Sequence, residues 1–417
     1  MQHPSLPELF RVFGRIGLLS FGGPAAQISL MHTELVDRRE WLNEQQFLGA
    51  LSFCMLLPGP EAMQLATYAG WRLHGVRGGI LAGLLFVLPG ALVILCLALG
   101  YAHFGDLPLI QSLFIGVQAA VIAIVFQALL KLSCKALKGW DSWLLSLLGF
   151  LAIFAFAVPF PAIIAAAALW GFFMAPQDTG STVPEMPVHT PVSQTLRTVA
   201  VWGVLWLAPL ILVWAVDAVF LTQLGVFFSK LAVVTFGGAY AVLAYMTQAV
   251  VDTHNWLTTQ QMIDALGLAE TTPGPLILVT EFVGLLAGFQ QGGIALALAA
   301  GILTLWVTFT PCFLWIFAGA PYVENILARP RLKGALAAIS AAVVGVILNL
   351  SVWFALHVLF SEVMQGRFGP VPDLAGFRPL SAGFVVLACV LFLGLRLPVP
   401  ALLTLMAAAA GAAHFFA

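Results

Sequence analysis

The 417 residues are 61% hydrophobic and only 8% charged, with a mean hydropathy of +1.02. Soluble domains carry roughly 25% charged residues, so this chain cannot cover a water-facing surface and reads as a polytopic membrane protein. A formal net charge of −1 without a basic arm excludes a nucleic-acid partner. The five cysteines (Cys54, Cys96, Cys134, Cys312, Cys389) are scattered and support neither a disulfide framework nor a metal site.

The apolar runs are continuous rather than alternating, which predicts an all-α protein built of helices of about 20 residues. The first stretch, 7–35, is interrupted by Glu8, Arg11 and Arg15 and lacks a cleavage site, so it is expected in the mature chain. It is broken at Phe21-Gly22-Gly23-Pro24. The next, 45–73, is broken at Pro58-Gly59-Pro60. Each of its pieces is about 13 residues, near 20 Å of helix, against a hydrocarbon core of about 30 Å. Basic residues flank it on both sides (Arg38 and Arg39, Arg72 and Arg77), which predicts a re-entrant hairpin turning at the prolines. A helix over about 112–130 follows. Residues 176–197, with four prolines, read as a cytoplasmic linker, and 198–216 as a single connecting span.

Beyond that span the sequence repeats itself. Ser20-Phe21-Gly22-Gly23 is matched by Thr235-Phe236-Gly237-Gly238, an offset of 215, and the same offset relates Trp41-Leu42 to Trp256-Leu257. It also relates Gln45-Gln46 to Gln260-Gln261 and Pro58-Gly59-Pro60 to Pro273-Gly274-Pro275. Pro89 then pairs with Pro311, and Pro159-x-Pro161 with Pro398-x-Pro400, after an extra loop near 361–379. The domains are therefore a first repeat, 1–175, and a second, 217–417, with about 10–13 membrane segments in total.

One unpaired span should turn the second repeat upside down, and charge placement agrees. Lys131, Lys135 and Lys138 follow the 112–130 helix, whereas Arg329, Arg331 and Lys333 precede its counterpart at 334–352. With Arg11, Arg15, Arg38, Arg39, Arg72, Arg77 and Arg197 on the same side, thirteen of the 17 basic residues face the cytoplasm. Inverted repeats are a common plan of secondary transporters, which bind substrate where the repeats meet.

Helix breaks at membrane depth are tolerated only where the freed backbone is buried in protein or lines a cavity. The helix starts they create favour anions. Arg15 and Lys230 each lie six residues before the Phe of a break, next to the hydroxyls of Ser20 and Thr235, and are expected to help neutralise a divalent anion. Glu61, Glu270 and Glu281 flank the proline breaks and are candidates for proton coupling. No phosphate-binding loop, HExxH or GxSxG is present, so neither a cofactor nor an enzymatic activity is expected.

The duplicated Phe-Gly-Gly, the Trp-Leu followed by a Gln pair, and the duplicated Pro-Gly-Pro resemble the chromate ion transporter family in its long, two-domain form. That resemblance covers nearly the whole chain. It implies a multi-pass protein of a bacterial inner membrane that exports chromate and confers chromate resistance, with sulfate as the isosteric competitor. A homodimer is compatible with it. Carried over residue by residue, the family's motif positions fall on Phe21, Gly22, Gly23, Pro24, Trp41, Pro58, Gly59, Pro60, Phe236, Gly237, Gly238, Trp256, Pro273, Gly274 and Pro275, and the Phe-Gly-Gly and Pro-Gly-Pro breaks among them are the expected substrate-binding positions. The second break departs from the pattern, with Ala239 where the first has Pro24. A sulfate carrier, a proton-coupled exchanger and an anion channel stay open as alternatives.

Overall fold

Short polar signals decide where the helices begin. Asn43 and Gln46 form a reciprocal capping box at the start of one helix, and Thr258 and Gln261 form the same box at the start of another. The paired glutamines of the repeated motif thus have a backbone role: the second of each pair closes the cap. A computed structural model describes residues 4–175, 191–236, 239–327, 329–366 and 369–416. The first repeat supplies α1 (Leu6–Leu19), α2 (Gly23–His32), α3 (Glu44–Cys54), α4 (Glu61–Phe104), α5 (Pro108–Ala136), α6 (Trp140–Phe154) and α7 (Phe160–Met174). After α8 (Val192–Ala215), the second supplies α9 (Val219–Val234), α10 (Ala239–Gln248), α11 (Thr259–Glu270), α12 (Val279–Gly319) and α13 (Val323–Leu327). It ends with α14 (Pro330–Leu359), β1 (Val363–Gly366), β2 (Gly369–Pro372), α15 (Pro379–Cys389) and α16 (Val399–Phe416).

The repeat survives in backbone detail. Both α2 and α10 end in a π turn, at Thr33–Asp37 and Ala249–Thr253. A residue at positive φ follows in each, Glu40 and Asn255, both at 51°. The next residue is the buried tryptophan, Trp41 or Trp256, whose N–H donates to Leu35 or Val250. A second matched pair, Ala157 at 50° and Arg396 at 55°, precedes Pro159 and Pro398. The protein is an all-α polytopic membrane protein, and α4, α5, α8, α14 and the stretch Leu276–Tyr322 are each long and apolar enough to cross a bilayer.

Three features differ from expectation. Helix α4 doubles back at His74–Gly75 and α12 at Gly292–Gly293, where Gly75 and Gly293 have φ of 60° and 70°. The limbs touch through glycine: a Cβ on Gly70 would meet the Gly78 carbonyl oxygen at 2.3 Å, and one on Gly288 would meet that of Leu296 at 2.7 Å. The pieces predicted on either side of Pro58-Gly59-Pro60 are α3 and the first limb of α4. The extra loop near 361–379 holds an antiparallel hairpin, with Val363 opposite Pro372 and Gly366 opposite Gly369. Pro370 and Pro372 suit it as a free-standing pair, since proline cannot donate to a further strand. The linker predicted at 176–197 lies outside the described residues over 176–190. Its last residues are helical, because α8 starts at Val192 with Pro191 at its N-cap.

Packing divides the chain into two compact units that cut across the repeats: 1–96, 175–239 and 272–333 form one, and 97–174, 240–271 and 334–417 the other. In the first, Phe13, Phe47, Phe53, Phe86, Phe228 and Phe282 are fully buried. In the second, Gly149 and Gly345 bring α6 and α14 into backbone contact, and Gly116 seats α5 against the Met406 carbonyl of α16. Small residues at such crossings are how helices associate in lipid, where apolar burial gives little net drive. Gly70→Ala is expected to destabilise the protein by about 1–3 kcal/mol through overpacking. Gly14→Ala, whose Cβ would meet nothing within 4 Å, should be neutral or slightly stabilising. Thermal unfolding in detergent compares the two.

Candidate functional site

Breaking a helix frees N–H and C=O groups, and in the first unit each proline break uses those of the other repeat. The N–H of Gly59, in the first Pro-Gly-Pro, donates to the carbonyl of Thr235 at 2.8 Å. The N–H of Gly274, in the second, donates to the carbonyl of Ser20, also at 2.8 Å. Ser20 and Thr235 are the hydroxyl residues that end α1 and α9 just before the Phe-Gly-Gly motifs. Their own hydroxyls turn back on Ile16 and Leu231 of the same helix, at 2.6 Å each. The four motifs of the two repeats therefore meet in two exchanged backbone bonds. Gly59 and Gly274, at φ of 125° and 92°, allow the turns that make the exchange.

A side-chain amide secures each crossing. Gln27 on α2 donates to the carbonyls of Gly274 at 2.6 Å and Ser20 at 3.2 Å. Gln64 on α4 donates to the Pro58 carbonyl at 2.7 Å. The space is tight on both sides: a Cβ on Gly59 would meet Gln64 at 2.7 Å and the Cys312 sulfur at 2.9 Å, and one on Gly90 would meet the Pro273 carbonyl oxygen at 2.1 Å. Neither glutamine emerged from symmetry, because the equivalent residues in the other repeat are Val242 and Val279.

The remaining predicted residues distribute as follows. Ser20, Thr235, Gly59, Pro273, Gly274 and Pro275 are buried, Pro58, Pro60 and Gly23 are half-buried, and Phe21 and Gly22 are exposed. Phe236 is half-buried, and Gly237 and Gly238 lie outside the described residues. Arg15 and Lys230 sit on exposed faces of α1 and α9, not in the buried crossing. The N–H groups of Gly59 and Gly274 are bonded across the repeats. The first N–H groups of α2 and α4 are the helix starts left at the breaks. Glu61 opens α4 and is half-buried.

Glu270, in the second unit, accepts a bond from the Tyr240 hydroxyl at 2.8 Å. Glu281 is 3% exposed and its Oε2 has no hydrogen-bond partner among the described residues; the same holds for the buried oxygens Gln64 Oε1, Ser229 Oγ and Thr308 Oγ1 of the first unit. Glu281 lies one turn before Gly284, whose Cβ position faces Thr304 across the α12 hairpin at 2.7 Å. Among the described residues, no group of His, Cys, Asp and Glu side chains could hold a metal ion. A buried acid that the sequence reading passed over is Glu34, which closes the π turn after α2 by pairing with Arg38 at 2.7 Å and with Arg39. The i,i+4 spacing of Glu34 and Arg38 was its only signal.

The chromate transporter family model matches residues 7–172 and 222–412, which leaves α8 between the matched regions. The chain belongs to the chromate transporter family. A chromate transport protein of Cupriavidus metallidurans is 32% identical over 350 residues, covering 82% of this chain and 81% of its own. One from Pseudomonas aeruginosa is 33% identical over 82% of this chain and 79% of its own. A probable chromate transport protein of Synechococcus elongatus is 30% identical over 98% and 96%. No solved structure matches. In this family member the exchange at the breaks is also a stability element. Gln27→Leu removes the side-chain donor to the Gly274 carbonyl, while the Ser20 carbonyl keeps the Gly274 N–H, and is expected to cost about 1–3 kcal/mol, read as a lowered melting temperature in detergent.

Proposed function

We propose that this protein exports chromate from the cytoplasm across a bacterial inner membrane, driven by the membrane potential, and thereby confers chromate resistance. The observation that carries the reading is the pair of exchanged bonds, Gly59 to Thr235 and Gly274 to Ser20. Interrupted helices of two repeats meeting at one place is how secondary transporters build substrate sites. The names of the relatives supply the substrate. An oxyanion would be held by the starting N–H groups of α2 and α4, with Arg15 and Lys230 raising the local positive potential from the exposed faces of α1 and α9. Sulfate, also a tetrahedral dianion, would compete. The basic-loop bias favours opposite orientations for the two repeats, with Arg329, Arg331 and Lys333 cytoplasmic.

The energy suffices. One charge crossing 100 mV is worth about 2.3 kcal/mol, so a dianion gains roughly 4.6 kcal/mol, enough for an outward gradient on the order of a thousandfold. The unpartnered carboxylate oxygen of Glu281 favours one second reading, proton-coupled exchange, with Glu61 and Glu270 as further carriers.

Chromate flux in vesicles clamped with valinomycin, at equal pH on both sides, separates the two. The expected result is flux that follows the clamp and persists without a pH gradient; flux that follows only an imposed pH gradient defeats the potential-driven reading. Arg15→Gln and Lys230→Gln should each weaken apparent chromate affinity at unchanged abundance. Normal affinity in both would leave the anion to backbone N–H groups and hydroxyls.

A further inference from the structure

The second unit contains a buried carboxylate that neither the repeat symmetry nor the helix breaks account for. Asp264, on α11, is 3% exposed. Its Oδ2 accepts a bond from the Tyr101 hydroxyl and its Oδ1 one from the Gln118 amide, both at 2.7 Å. The contact follows from close helix packing. Gly267, one turn further along α11, has no side chain where a Cβ would lie 2.3 Å from Val117 of α5, and this close approach brings Asp264 onto Gln118. The first repeat has Gly49 at the equivalent position.

Both donors are neutral, and among the described residues no Lys, Arg or His forms an ion pair with Asp264. An ionised carboxylate in such a place is held by hydrogen bonds alone, so its charge is costly to keep and a proton removes the cost. A route for that proton exists. Asp264 lines a cavity of about 790 Å³ together with Tyr101, Asp106, Gln118, Gln261 and Arg378, among other residues. Asp106 and Arg378 are exposed at its rim. Helix α16, which also packs on α11, contributes no Asp, Glu, Lys or Arg, and its one histidine, His414, lies at the exposed C-terminal end. On the same helix as Asp264, Glu270 is engaged by Tyr240.

We propose that Asp264 is a proton-exchange site that controls entry of an oxyanion into this cavity. With Asp264 ionised, the cavity presents two carboxylates against one guanidinium and repels a dianion. When a hydronium ion in the cavity gives its proton to Asp264 and leaves as water, the lining becomes balanced in charge. The Arg378 guanidinium then faces the anion with only the Asp106 carboxylate against it. Proton and oxyanion therefore bind cooperatively, each raising the other's affinity. This inference rests on the reading of the protein as an oxyanion transporter. On the topology proposed above, the cavity opens to the non-cytoplasmic side, because residues 258–261 are the inverted counterpart of the cytoplasmic segment 43–46.

Two measurements test it. In the first, chromate flux is measured at a series of pH values on the cavity side for the unmodified protein and for Asp264→Asn. Taking the ratio at each pH cancels chromate's own protonation. The ratio of variant to unmodified flux should climb by about tenfold per pH unit once Asp264 is ionised, as expected for linkage to one proton. Tyr101→Phe removes a donor that stabilises the ionised form and should shift the rise to higher pH; it carries the test if Asp264→Asn does not fold. A ratio that stays constant with pH overturns the proposal.

The second measurement needs no substrate. Infrared difference spectra on acidification should show a protonated-carboxyl band in the unmodified protein that Asp264→Asn lacks. Identical spectra overturn the proton site. The band without any chromate flux would reject the transport reading and leave the proton site standing.

Discussion

The first unit depends on satisfying the buried backbone groups that its broken helices release at Gly59, Gly274, Ser20 and Thr235. A single repeat does not do this. Gly59 can donate only because Thr235 ends α9 beside it, and Gly274 only because Ser20 ends α1. The exchange links the Pro-Gly-Pro of each half to the helix end before the Phe-Gly-Gly of the other through backbone groups alone, while the hydroxyls of Ser20 and Thr235 bond within their own helices. A chain with one of the four damaged would carry an unsatisfied polar group in the partner repeat as well.

The same constraint explains why the interior polar residues are mostly amides and hydroxyls. Ser20, Thr67, Thr235, Thr280 and Thr304 return their hydroxyls to carbonyls three or four residues earlier in the chain, which leaves no orphan donor and permits slight bends. Gln27 and Gln64 hold carbonyls that the breaks expose. Three buried acids stand out against this background because, unlike Glu34 with its two arginines, they have no cationic partner among the described residues. Glu270 and Asp264 are held by tyrosine and glutamine, and one oxygen of Glu281 by no described residue. In a protein with 8% charged residues, such groups are retained at a cost in stability, and that cost is the argument for giving them a role in moving ions.

Much of this was legible in the sequence because duplication writes the same backbone twice. The constant offset of 215 located both proline breaks, both tryptophans and both glutamine pairs, and a later offset paired Pro159-x-Pro161 with Pro398-x-Pro400. What symmetry could not show were residues present in one repeat only. Gln27 faces Val242 in the alignment of the halves, Gln64 faces Val279, and Asp264 faces Gly49. The reversals inside α4 and α12 were hidden for a different reason. They occur at His74–Gly75 and Gly292–Gly293 without proline or a long polar stretch, and a glycine at positive φ suffices when the returning limb packs through other glycines.

Symmetry and its violations divide the labour between the two units. Exchanged bonds need equivalent partners, so the residues that make them recur in both repeats and form the scaffold at the breaks. Two strictly identical inverted halves would treat the two membrane faces alike and leave the direction of net flux to the driving force, so a difference in how the faces respond needs residues that the halves do not share. The single-copy residues are where that difference can reside. On the orientation proposed for the repeats Asp264 with its cavity belongs to one face only, and α11, which carries it, runs six residues on to Glu270 and then into the second Pro-Gly-Pro. Under the proposal made for Asp264, a charge change there acts on α11 and has no counterpart on the equivalent helix α3, which carries Gly49 in that place.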